Sequence, residues 1–134
     1  MNGRTTTDRR SLGFLQISIA LQTAAVFFQA VTAGLLLSSP GSEVLHGVGA
    51  RVMYGASMLY VLAAILAWRP GGGSPRRILH ASVFLVLASV QVVLGVARIP
   101  AFHVPLGILM FGLSLLDLGQ VLSGRVPGRM GARS

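Results

Sequence analysis

Four long apolar stretches, parted by short polar segments, set the pattern of the chain. Residues 12–37 form an uncharged run of 26 positions. An apolar helix needs roughly 20 residues to cross the hydrocarbon of a bilayer, so this run predicts a first spanning helix with some tilt. A charged segment precedes it, as in a secretory signal, but the run exceeds the roughly 7–15 residues of a signal core and reads as a retained helix. Ser38, Ser39, Pro40 and Gly41 mark a turn, with Ser42 placed to cap the next helix. That second helix is predicted over residues 44–68, with Tyr54 and Tyr60 inside it and Trp68 at its far interface. A loop rich in Arg, Pro and Gly covers residues 69–77, the third helix residues 78–97, and the fourth residues 101–122 after the tight turn Arg98-Ile99-Pro100. Residues 1–11 and 123–134 remain as polar tails, the first expected to be disordered.

Composition changes the class. Hydrophobic residues make up 53% of the 134 positions and charged ones 10%, against about 25% charged in a soluble domain. The expected fold class is all-α, an integral membrane four-helix bundle over residues 12–122, built from two pseudo-repeated helical hairpins. The net charge of +8 comes wholly from arginine. No arginine run alternates with aromatics on a polar surface, so nucleic acid is not expected as a partner; membrane lipid is. Three arginines precede the first helix, three lie between the second and third, and three follow the fourth, while the two opposite connections hold only Arg98. The positive-inside rule then predicts a multi-pass protein of the cell membrane with both termini cytoplasmic. Glu43, His46, Arg98 and His103 fall near the outer face. Cysteine is absent, which excludes disulfides and thiolate metal sites.

Candidate chemistry gathers where the second helix begins. Glu43, His46 and Arg51 lie within nine residues of a chain that has three acidic residues and three histidines in all. Glu43 and His46, three apart, share a helix face. A repeat sharpens the picture: Gln29 and Gly34 close the first helix before His46, and Gln91 and Gly95 close the third before His103. Both hairpins start on the same side, so the two histidines fall at matched depth on parallel helices. On spacing alone they read equally as two interfacial histidines; their matched position favours a metal, or a haem iron held from both sides. Gly47 and Gly107 give clearance for a macrocycle, although small residues also let membrane helices approach. Arg51, about 7.5 Å inward of His46, suits a propionate, an internal pair with Glu43, or snorkelling to the surface. Arg98 is a second propionate contact or a lone surface charge. His80 lies at the opposite end. Asp117, roughly 21 Å beyond His103, is expected to pair with an inner arginine, and Gln29 and Gln91 to bond between helices.

Glu43-x-x-His46 opening the second helix, His103 opening the fourth, and Gln-Gly pairs closing the helices before them resemble the haem A synthase family over nearly all of residues 12–122. The typical member has eight helices in two four-helix halves, each with a histidine pair. The resemblance implies His46 and His103 as haem ligands and Glu43 as the catalytic or haem-contacting carboxylate; Arg51, Arg98, Gly47 and Gly107 are expected around the haem from their positions alone, and Gly47 stands where the family usually has an arginine. It implies haem of b type, or haem O or A, and oxidation of a haem O methyl group to the formyl of haem A. Because the chain matches one half, a homo-oligomer or a membrane partner subunit is expected. A membrane cytochrome carrying electrons, and a haemless accessory subunit, remain the alternative functions.

Overall fold

The computed structural model describes residues 3–69 and 72–123; the C-terminal tail with Arg125, Arg129 and Arg133, and Pro70 and Gly71 of the arginine-rich loop, lie outside the described residues. Four helices follow one another, α1 (Gly3–Ser38), α2 (Glu43–Trp68), α3 (Arg76–Val96) and α4 (Pro100–Leu122). Each is long and apolar enough to cross a membrane. The expected disordered N-terminal tail is instead helical from Gly3. Adding a residue to an existing helix costs far less than nucleating one, so the polar turns before Leu12 continue the spanning helix.

Local chemistry sets the ends. Pro40 interrupts the backbone donors after α1, and Gly41 takes φ +94, a left-handed conformation suited to glycine. Ser42 does not cap α2 as expected. Its hydroxyl turns back to donate to the Ser39 carbonyl at 3.1 Å, so the first-turn donors of α2 do without it. At the other end of α2 the Gly73 N–H donates to the Ala67 carbonyl at 2.9 Å. A Cβ on Gly73 would sit 2.6 Å from that same oxygen, so only glycine closes this turn without displacement. Between α3 and α4, Arg98 N–H donates to Gly95 O and Ile99 N–H to Leu94 O. This is the Schellman closure of a helix, with arginine at φ +56 in the position glycine usually fills.

The helices form a four-cornered bundle: α1 and α3 each pack on α2 and α4, and α2 faces α4 across the diagonal. The inward seams alternate steps of four and three residues. On α4 the seam is His103, Gly107, Met110, Ser114 and Asp117; on α1 it is Ser18, Gln22, Ala25, Gln29 and Thr32. Such a 3.5-residue repeat favours left-handed crossings of about 20°. Two apolar clusters fill the interior, one around Ile19, Tyr60, Ala64 and Ala81, the other around Val26, Met53, Phe84 and Met110. Gln22, Ser57 and Ser114 are buried with them. Outward positions such as Ile17, Val52, Val86 and Leu116 are exposed and apolar, as a lipid-facing surface requires. Lipid is as apolar as these side chains, so close packing and buried hydrogen bonds hold the helices together.

Candidate functional site

Both predicted histidines stand at the same end of the bundle, with ring centroids 6.1 Å apart and planes crossing at 73°. The repeat seen in the sequence is a repeat of bonds. Gln29 on α1 donates its amide to the carbonyl of His46 at 3.2 Å. Gln91 on α3 donates its amide to the carbonyl of His103 at 2.8 Å. Each hairpin thus ties the first turns of its second helix to a glutamine on its first.

The ring nitrogens are tied as well. His103 Nδ1 lies 3.0 Å from the Gln91 carbonyl, which can only accept, so Nδ1 carries the proton. His46 Nδ1 lies 3.0 Å from the Thr32 hydroxyl. That hydroxyl is also 2.9 Å from Gln29 Oε1 and 3.1 Å from the Gln29 carbonyl. It has one proton to give, and both Gln29 atoms are acceptors. The consistent assignment has Thr32 donating to Gln29 and accepting from His46 Nδ1–H. Both imidazoles are then held as the tautomer whose Nε2 bears the lone pair, and no described residue bonds either Nε2. Histidines that ligate metals are commonly fixed through the far nitrogen in a similar way.

Space surrounds the pair. A cavity of about 1070 Å³ is lined by both histidines, and Glu43, Gly47, Arg51 and Arg98 also border it. A second of about 350 Å³, bordered by Gly107, Gln29 and Met110, again includes both histidines. All of the predicted site residues therefore meet at this end. Glu43, Arg51 and Arg98 are exposed, and among the described residues no carboxylate lies within 4.0 Å of either arginine. The expected alternative of an Arg51–Glu43 pair is not formed. The two named glycines differ: a Cβ on Gly47 would meet nothing within 4 Å, whereas one on Gly107 would come within 2.9 Å of Gln91 Nε2. Gly49 stands in the same relation to Gln29 Oε1, at 2.9 Å, and Gly95 lies under the ring of His103, where a Cβ would be 3.1 Å from Cε1.

Sequence reasoning did not single out Thr32, nor Tyr54 and Ser89, which bond at 3.1 Å and border the larger cavity. Thr32 carried a usable signal, three residues past Gln29 and hence on the same helical face. Gln91 Oε1 is buried without a partner among the described residues. Groups of three or more His, Cys, Asp or Glu are absent among the described residues.

The other end holds the remaining ionisable groups. Tyr60, fully buried, donates its hydroxyl to Asp117 Oδ2 at 2.6 Å. Asp117 Oδ1 lies 3.8 Å from Arg77 Nη1 and 3.8 Å from His80 Nδ1. His80 thus sits beside Asp117 and away from the histidine pair. Comparison with protein-family models, curated proteins and solved structures found no match for the chain.

Proposed function

We propose that the chain is an integral membrane haem protein in which His46 and His103 would hold a b-type haem between α2 and α4. The carrying observation is the matched clamp: two imidazoles fixed through Nδ1, their ring centroids 6.1 Å apart. The donor set also fits. A bare ion in protein asks for three or four side-chain ligands, and the described residues offer no such group. A porphyrin brings four nitrogens of its own and needs only two from the chain.

The residues around the pair have roles in this reading. Arg51 and Arg98 border the same cavity and have no carboxylate partner among the described residues, so their guanidinium forks are available to propionates. Gly47 leaves open volume beside His46, and Gly107 makes room for the Gln91 amide that bonds the His103 carbonyl. Bound haem would supply one-electron redox chemistry. If both imidazoles hold the iron, an electron-carrying cytochrome is the favoured activity. A second reading rests on Glu43, which borders the cavity one helical turn from His46 and stands where the resemblance to haem A synthases puts the catalytic carboxylate. Analysis of extracted haem after supply of haem O separates the two.

The decisive experiment is the visible spectrum of the purified chain given iron protoporphyrin IX. A low-spin bis-imidazole spectrum is expected, and a spectrum of free haem overturns the proposal. We further propose that both termini are cytoplasmic, from the arginine distribution. Reporter fusions at Ser74 and Gly41 should read cytoplasm and exterior. A homo-oligomer, or a membrane partner, would complete the likeness to a two-haem assembly, and mass measurement in nanodiscs reads this directly.

A further inference from the structure

The two rings at the candidate site are not simply near each other; each is held at a set angle by a different helix. His46 is tied through Nδ1 to Thr32 on α1. His103 is tied through Nδ1 to the Gln91 carbonyl on α3. Each residue's own carbonyl is tied in addition, to the amides of Gln29 and Gln91. A ring fixed by its backbone at one end and by Nδ1 at the other has no free rotation about Cβ–Cγ. Bringing the planes parallel would need one ring to swing through most of the 73° that separates them. That swing carries its Nδ1 off the acceptor and leaves a half-buried donor unpaired, which opposes the motion. α1 and α3 lie on opposite corners of the bundle, so the two acceptors are set independently and cannot shift together.

We infer that Thr32 and Gln91 are positioning residues that keep the axial imidazole planes crossed, so that an iron between His46 and His103 has nearly perpendicular ligand planes. This rests on the haem reading above and adds to it a specific electronic structure. Each imidazole donates π density mainly into the iron d orbital perpendicular to its ring plane. Parallel planes load one of the two candidate orbitals and split the pair. Crossed planes load both alike and leave them almost degenerate, which preserves orbital angular momentum in the ferric ion. Thr32 has a second effect. Accepting from Nδ1–H makes His46 a more basic ligand, which stabilises ferric over ferrous iron and lowers the reduction potential.

Electron paramagnetic resonance of the full chain in nanodiscs, loaded with ferric iron protoporphyrin IX, reads the crossing directly. The expected signal is a single strongly anisotropic low-spin feature at low field. The three-line rhombic spectrum of parallel planes in the native chain would overturn this inference and leave haem binding standing. Absence of any low-spin haem would overturn both. Thr32→Val keeps the shape of the side chain and removes the acceptor. It should retain haem, move the signal toward the rhombic form and raise the midpoint potential. Thr32→Ser should restore both. If Thr32→Val leaves spectrum and potential unchanged, Thr32 is not a positioning residue. Should that variant lose its haem, Gln91→Leu carries the same reading from the other ring, by removing the amide bond to the His103 carbonyl while sparing the Nδ1 acceptor. An unchanged signal there would count equally against the inference.

Discussion

The two ends of the bundle treat their polar side chains in opposite ways. At the aspartate end, Tyr60, Arg77 and His80 converge on the single carboxylate of Asp117, and the helices there pack around Ile19, Ala64 and Ala81. At the histidine end, bonds to backbone carbonyls and the Thr32 hydroxyl hold the histidines and their ring edges while a cavity of about 1070 Å³ opens beside them. A charge buried against its partner serves the fold, because separating the two would cost several kcal/mol. Rings fixed at one nitrogen and uncommitted at the other suit the ligand proposed for them. The same small alphabet of polar residues therefore closes one end and leaves a cavity beside uncommitted ring nitrogens at the other.

The largest effect should come from removing a ring. His46→Ala or His103→Ala is expected to lower haem affinity beyond the roughly 10–100-fold that loss of a ligand's outer partner costs, read by haem titration. The double change should add little to either single one. Folding stability should barely move, since both rings border a cavity. The reverse profile is expected at the far end. Tyr60→Phe removes a short bond to a carboxylate and should cost about 1.5–3 kcal/mol in unfolding from mild detergent, with haem retained. A mutation of either kind that altered both properties alike would merge the two ends into one unit.

Arg98→Gly separates the two functions within one residue. Glycine at a left-handed position should relieve about 1–2 kcal/mol of backbone cost, raising thermal stability. The same change removes a guanidinium from the cavity and should weaken haem binding, measured by the same titration. The smallest contrast is between two glycines. Gly107→Ala forces Gln91 aside and should cost about 1 kcal/mol with a shift of the haem spectrum, whereas Gly47→Ala meets open space and should be silent in both. If Gly47→Ala disturbs the spectrum, the cavity is more tightly filled on that side than its volume implies.

Hydrophobic runs and arginine flanks made the four helices legible, because a bilayer imposes length and apolarity on any span. The histidine pair was legible from its place in a repeat. Two things were not. Ser42 has the chemistry of a cap, but a hydroxyl has several carbonyls in reach and here chose Ser39. The polar interior was hidden because Ser18, Gln22, Ser57 and Ser114 scarcely dent the mean hydropathy of their helices, and hydropathy cannot tell the lipid side from the protein side. A 3.5-residue count would have found them, since His103, Gly107, Met110, Ser114 and Asp117 fall on one seam of α4. Gln22 still lacks a partner for either amide atom, and its bonding has no account in the described residues.

The clamps are local in the chain, and that governs how the protein is assembled. Thr32 and Gln29 lie 14 and 17 residues before His46, and Gln91 lies 12 before His103. Every bond that fixes a ring therefore falls within one hairpin, and each hairpin begins and ends on the same side of the bilayer. A translocon can release α1 and α2 as a finished unit with His46 already oriented, then α3 and α4 with His103 oriented. No ring has to search for a distant anchor. In such an assembly the site would form only when the two halves meet.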